Sequence, residues 1–407
     1  MMRDQIQVID LREYETIALD RHILTDEDGL LLNERYRAQI AVDWPTPLTN
    51  HQWRLTAQGW GGYIPLRPSL AFRLQPKIPL RNLFGMWEYA YRMKGFKFLE
   101  GMADVASLDA FYEQLANVLA KQVLDRARKG FYRAYISQSE RLPYVRGRVD
   151  AYQATRRPWD VRLPCHFEEH TADIEDNQIL TYTLWIIAQS GVCTERVLPT
   201  VRRAYRSLQH GTSFKPFSAG DCIGRRYHRL NQDYLPMHAL SRFFLDQSGP
   251  THDAGDRQIM PFLVDMAALF ELFVAEWLKM HLPEGWLVDQ QEVVYLGEDR
   301  DQNFRIDLVL RHIESEQPYM VLDTKYKKTP KPSESDIQQV VAYATALHCS
   351  EAVLIYPHQL DRPRDYNIGG VHVRTMAFAL DGDLEQAGQA FLQELGLRAS
   401  PPLIAEQ

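Results

Sequence analysis

The sequence predicts an α+β multidomain protein, in which a β-rich and then helical N-terminal region is followed by an α/β C-terminal domain. Three observations predict it. Residues 1 to 105 run as short alternating apolar segments broken by turn residues, and residues 106 to 250 carry apolar side chains at three- and four-residue steps. Beyond a seam rich in Gly, Pro, Ser and Asp, strand-length and helix-length apolar runs alternate through residues 256 to 407. The 407 residues are 45% apolar and 11% aromatic, which supplies the cores of two or three domains.

The elements follow in order. Ile64-Pro-Leu-Arg-Pro68 and Leu70–Ile78 have the alternation and punctuation of strands and turns. From Ser107, a plausible N-cap, to Arg128, the residues Leu108, Phe111, Tyr112, Leu115, Val118, Leu119 and Val123 line one helical face. Further helices are expected at Ile179–Ile187 and Tyr234–Leu245, and the seam Asp246–Asp256 sets the main boundary. After it, Leu263, Ala267, Phe270, Val274, Trp277 and Leu278 predict a helix, and Glu292–Leu296, Phe304–Leu310 and Tyr319–Tyr326 predict successive strands. Ser333–Leu347, capped by Ser333 or Ser335, is a helix, and Ala352–Tyr356 is a strand.

Composition excludes several function classes. There is no GxxxxGK[ST], no HExxH and no GxGxxG that opens a helix, so the chain is expected to bind no nucleotide itself. Cys165, Cys193, Cys222 and Cys349 lie at least 28 residues apart, which leaves them as plain thiols. No membrane span or secretory signal is expected, and a cytoplasmic protein is the simplest reading. The net charge of −7 conceals segregation: Lys121 to Arg162 holds 11 Lys/Arg against 4 Asp/Glu, and Glu195 to Leu230 holds 8 against 2.

The chemistry is expected in the last domain. In Phe304-Arg-Ile-Asp-Leu-Val-Leu310, alternation sets Phe304, Ile306, Leu308 and Leu310 on one face and Arg305 and Asp307 on the other. In Tyr319–Tyr326 the same period brings Asp323 and Lys325 together at the end of the strand. Two carboxylates about 4 Å apart repel by about 4 kcal/mol at an effective dielectric near 20, so a cation must offset them. Mg²⁺, which takes one or two carboxylates and binds phosphate oxygens, suits that role. Lys325 can then serve the attacking water or the charge growing on phosphorus. On the following helix, Asp336, Gln339 and Tyr343 share a face. Glu271 is either an extra acid for the metal or a solvated helix residue.

At these positions the chain resembles the PD-(D/E)xK nuclease superfamily. Arg305-Ile-Asp307 stands at the first acidic motif, with Ile306 in the place of the customary proline. Asp323-Thr-Lys325 is the DxK and Gln339-Val-Val-Ala-Tyr343 the QxxxY element. The fuller resemblance is to the McrC family, nuclease subunits of McrBC-type modification-dependent restriction systems. It is carried also by Leu74-Gln-Pro-Lys-Ile78, Val145-Arg-Gly-Arg-Val149, Asp176-Asn-Gln-Ile-Leu180, Tyr227-His-Arg-Leu-Asn231 and Asp265-Met-Ala-Ala-Leu-Phe-Glu271.

The resemblance implies an α/β restriction-endonuclease-like domain with Asp307, Asp323, Lys325, Gln339 and Tyr343 as its catalytic set. Asp307, Asp323 and the Thr324 backbone carbonyl would hold Mg²⁺. It implies a McrB-like AAA+ GTPase hexamer as partner, with GTP bound there, double-stranded DNA carrying modified cytosine as substrate, and self-association through the nuclease domain. The first 255 residues would bind the motor. Arg146, Gly147 and Arg148 stand either as a loop pressed on the motor or as an exposed hairpin. The alternatives are an adaptor that activates the GTPase on a scaffold nuclease fold, and a freestanding repair or recombination nuclease.

Overall fold

The computed structural model describes residues 6–93, 107–157, 159–250, 252–254, 257–259, 261–296, 302–327 and 329–397. In chain order the N-terminal elements are β1 (Gln7–Arg12), β2 (Thr16–Leu19), α1 (Asp26–Arg35), β3 (Ile40–Asp43), β4 (Trp53–Ala57), β5 (Trp60–Arg67), β6 (Leu70–Gln75) and α2 (Leu80–Ala90). The middle carries α3 (Leu108–Lys129), β7 (Ala134–Leu142), β8 (Arg148–Val149), α4 (Ala151–Arg156), β9 (Leu163–Thr171), α5 (Glu175–Gln189), α6 (Leu198–Gln209), α7 (Tyr234–Asp246), β10 (His252–Ala254) and β11 (Arg257–Ile259). Then come β12 (Phe262–Asp265), α8 (Met266–His281), β13 (Trp286–Leu296), β14 (Gln302–His312), β15 (Pro318–Thr324), α9 (Glu334–Ala346), β16 (Glu351–Tyr356), β17 (Asp365–Ile368), β18 (Val371–Ala377) and α10 (Leu384–Leu395). The mixed multidomain α/β character agrees with the expected α+β class.

The chain divides into two compact units, one of residues 1–108 with 263–407 and one of residues 109–262. The expected first part, 1–105, and last part, 256–407, therefore lie essentially within a single unit. The reason is specific long-range contact. The Asn82 side chain on α2 donates to the carbonyls of Leu380 (2.8 Å) and Gly382 (2.7 Å). Tyr89 donates to Glu385 at 2.5 Å, and Arg92 pairs with the buried Glu276 of α8 at 2.7 Å.

Within this unit two β layers have separate cores. The N-terminal sheets, ordered β1-β6-β5-β12 and β2-β4-β3, enclose Leu11, Trp53, Leu55, Ile64, Phe72 and Leu74, and Leu263 of β12 joins that cluster. Leu263 thus belongs to a strand where the apolar spacing predicted a helix. Asp265 sets the true start of α8 by accepting from the Ala267 and Ala268 amides at 2.9 and 3.1 Å. Gly29 on α1 is required by packing, since a Cβ there would lie 2.4 Å from the Trp53 ring.

The second layer is a six-stranded sheet ordered β13-β14-β15-β16-β18-β17. β13, β14 and β15 pair antiparallel, whereas β15, β16 and β18 pair parallel. α9 is the crossover that makes the first parallel step possible. Both faces are buried, which corrects the expectation that Asp307 faces away from the apolar layer. Alternation puts Asp307 and Val309 on one face, and Val309 lies in register with Val321, Ala352 and Val373. These four pack with Val340, Tyr343 and Ala344 of α9.

The second unit is helical but also contains a three-stranded sheet ordered β7-β9-β8, which the amphipathic runs around it did not announce. Its helical core stacks Tyr112 on Phe244 (4.9 Å between centroids) and on Phe262 (4.5 Å). At Gly147 (φ +67°) a Cβ would meet the His166 carbonyl at 2.3 Å, so only glycine fits beside β9. Arg146 lies over the Phe167 ring at 3.9 Å and pairs with Glu169 at 3.3 Å, while Arg148 is exposed. Around this sheet Tyr135, Tyr144, Val145, Tyr152, Trp159 and Val161 are all more than half exposed.

Candidate active site

The strand end of the six-stranded sheet collects the expected polar residues. Leu308 pairs with Leu322 across β14 and β15, so the next antiparallel step sets Asp307 opposite Asp323, with facing Cβ atoms about 5 Å apart. Thr324 holds Asp307 in place: its amide and its hydroxyl both donate to Asp307 Oδ2, at 2.9 and 3.0 Å. Asp323 is fully buried. Its Oδ2 lies 2.6 Å from Lys325 Nζ, and its Oδ1 has no hydrogen-bond partner among the described residues.

Electrostatics follow from that packing. Burial, reinforced by the neighbouring Asp307 charge, pushes the Asp323 carboxyl up to about 7. Burial pulls the Lys325 ammonium down, but Asp323, Asp307 and Asp336 together outweigh it and hold the group above the ordinary lysine value. The ammonium is therefore charged at neutral pH.

α9 supplies the rest of the constellation. Ser333 caps it by accepting from the Asp336 amide at 3.1 Å. One turn on, Gln339 Oε1 accepts from Lys325 Nζ at 3.1 Å, and Gln339 Nε2 donates to the Tyr343 hydroxyl at 2.6 Å. Tyr343 thereby fixes which end of the amide faces the lysine. Asp336 points instead to Lys327, at 2.8 Å.

Glu271 on α8 feels the same cluster. Burial and the charges of Asp307 and Asp323 raise its carboxyl to about 7, and the Gln291 side chain donates to it. Among the described residues no group of three or more His, Cys, Asp or Glu side chains is gathered as a metal cage. Sequence reasoning missed Gln291, which holds Glu271 from β13, and the Lys327–Asp336 pair. Gln291 has a positive φ of 57° and falls between the Gln290–Leu308 and Glu292–Ile306 pairs of the ladder, a placement no local pattern encodes.

Residues 55–357 match the family model described as McrBC 5-methylcytosine restriction system component. The chain belongs to that family. Within it the chain is a McrC-type subunit. It is 23% identical over 313 residues, 70% of this chain and 87% of the relative, to the type IV methyl-directed restriction enzyme EcoKMcrBC of Escherichia coli K12. It also shares its fold with a solved structure from a tetradecameric assembly of Thermococcus gammatolerans McrB AAA+ hexamers with bound McrC. There the TM-score is 0.55 at 16% identity, covering 96% of this chain and 99% of that one. Among the described residues no helix is long and apolar enough to cross a membrane.

Proposed function

We propose that this restriction-system component is its DNA endonuclease subunit, a Mg²⁺-dependent phosphodiesterase with a PD-(D/E)xK-type domain. The observation that carries the reading is the convergence of Asp307, Asp323 and Lys325 at one strand end, with Gln339 bound to the lysine. The donor set fits magnesium. It is all oxygen, and Asp323 Oδ1 is a buried atom without a partner among the described residues, beside a second carboxylate that Thr324 orients. Asp307, Asp323 and the Thr324 carbonyl would hold the ion, which when bound acidifies a water and polarises the scissile phosphate.

The protein's own groups do the rest. Lys325, kept charged by its acidic neighbours, offsets the negative charge that grows on the phosphate oxygens as the P–O bond breaks. Gln339 restrains the ammonium between Asp323 and the substrate side, and Tyr343 restrains Gln339.

The relatives supply the setting. As in the Thermococcus assembly, the partner is an AAA+ hexamer; in this reading GTP binds to that partner and not to this chain. The substrate is duplex DNA with modified cytosine, in keeping with the family's description as a 5-methylcytosine restriction system component. A second role, activation of that motor, is favoured by the exposed Tyr144, Val145, Trp159 and Val161 beside the second unit's sheet, because large apolar groups left in water mark an interaction surface. The test is cleavage of 5-methylcytosine duplex with the AAA+ partner, GTP and Mg²⁺. The parent cuts and Asp323→Ala does not; equal cutting by both refutes the catalytic assignment.

A further inference from the structure

Glu13 is a carboxylate that the proposed mechanism does not use, yet it has no exposed surface at all. It follows β1 immediately, where its amide donates to the Gln75 carbonyl at 2.9 Å. One of its oxygens accepts two hydrogen bonds from distant segments, one from the Lys77 amide at 3.0 Å and one from the Tyr326 hydroxyl at 3.3 Å. The other oxygen has no hydrogen-bond partner among the described residues. Burying a carboxylate in this way costs several kcal/mol unless its bonds are made, so the contact is expensive to maintain as filler.

Tyr326 is the residue after Lys325. Beyond Thr324 the backbone leaves the ladder, and its last sheet-like bond runs from the Lys325 amide to the Ile355 carbonyl at 2.8 Å. By alternation Asp323 and Lys325 project to the α9 side while Tyr326 projects to the α8 side, where its ring lies 6.0 Å from that of Phe270. The tail carrying Lys325 is thus held from behind at two points, the Phe270 ring and the Glu13 carboxylate. Lys327 is half exposed and pairs forward, with Asp336.

We infer that Glu13 is a positioning residue for the Asp323-Thr-Lys325 segment, acting through the hydroxyl of Tyr326. This rests on the catalytic reading above. It makes the N-terminal sheet a working part of the cleavage machinery, with the Pro76-Lys77 turn joined to the same carboxylate. Burial raises the Glu13 carboxyl above its ordinary value against the opposing Lys77 and Tyr326 bonds, which accords with an acceptor enclosed by its partners.

The experiment compares full-length Tyr326→Phe, Glu13→Ala and Glu13→Gln. DNA cleavage is read with the AAA+ partner present, and hydrogen exchange over residues 320–327 is read without DNA or metal. Tyr326→Phe keeps the ring against Phe270 and so keeps the fold. Expected are kcat losses of about tenfold for Tyr326→Phe and Glu13→Ala, as for a small misplacement of a catalytic group, with KM for DNA and partner GTP turnover unchanged. Exchange at the Lys325 amide accelerates in both. Glu13→Gln, which still accepts both bonds, recovers most of each loss, and the double variant is no worse than the worse single. Parental kcat and exchange in Tyr326→Phe, or a glutamine as poor as alanine, overturns the inference. Should Asp323→Ala cut like the parent, the catalytic reading fails, and the exchange result still decides whether the latch orders the segment.

Discussion

The end of the six-stranded sheet and the surface around β7, β8 and β9 handle their exceptional side chains in opposite ways. At the first, charged and polar groups are buried or partly buried and held by one another: Asp307 by Thr324, Lys325 by Asp323 and Gln339, Gln339 by Tyr343. At the second, large apolar groups stand in water, with Trp159 78% and Val161 88% exposed. Buried polar groups are costly unless mutually satisfied, and exposed apolar groups are costly unless covered. The first region is therefore ordered from within, save for the partnerless Asp323 Oδ1 that the proposed ion would take, and the second has the character of a surface that a partner would cover.

The contrast can be broken most decisively at Lys325. Lys325→Ala is expected to lower DNA cleavage by about 10²- to 10³-fold while leaving partner GTP turnover at the parental level; a parallel fall in GTP turnover would merge the two regions. Next, Trp159→Ala combined with Val161→Asp is expected to weaken binding to the AAA+ partner by about 30-fold, the scale of a hot-spot loss near 2 kcal/mol, measured by titration of the labelled motor. The thermal midpoint of the isolated chain stays unchanged, because neither side chain contributes to a core. Gln339→Ala should cost about tenfold in kcat with little change in KM, since Lys325 keeps its Asp323 contact.

The remaining effects are on acid stability. Burial pushes the His238 imidazole in the second unit down to about 4, against the Asp176 carbonyl that favours its protonated form. The unfolded chain then binds the proton that the folded unit refuses, so stability of the second unit falls as pH drops from about 6.5 toward 4, by up to about 3 kcal/mol. Asp336 in the other unit is opposite in type. Burial raises its carboxyl, but Lys327 and the Ser333 hydroxyl outweigh that and hold it below the ordinary value. Its contribution, reduced by the exposure of Lys327, is present above the ordinary carboxylate range and is lost as pH falls below it. Segment-resolved hydrogen exchange at pH 7, 5 and 4 should therefore show the second unit loosening first, and the reverse order would contradict both assignments.

Much of the site was legible because period two and period 3.6 survive in its elements. Phe304–Leu310 and Tyr319–Tyr326 lie on β14 and across the end of β15, and the Ser333 cap, Gln339 and Tyr343 all fall on the helix the spacing predicted. What spacing could not carry was contact between distant segments. Nothing around Asn82 announces the Leu380 carbonyl, and nothing around Glu13 announces Tyr326. The hairpin of β7 and β9 was hidden for a different reason. Its Ala134, Ile136 and Gln138 are only half buried, so the apolar alternation is weak, and its arginines dominated the reading as a basic helical stretch.

The division of the chain has one more consequence, for synthesis at the ribosome. Residues 6–93 belong to one unit with the chain from residue 263 on, while residues 109–262 emerge in between. Asn82 must wait for carbonyls 298 and 300 positions later. Loop closure over such a span is slow compared with local helix formation, and it cannot begin until the late segment exists. A nascent or prematurely released fragment ending before about residue 380 lacks those docking carbonyls, so α2 stays without these anchors until that late segment has emerged.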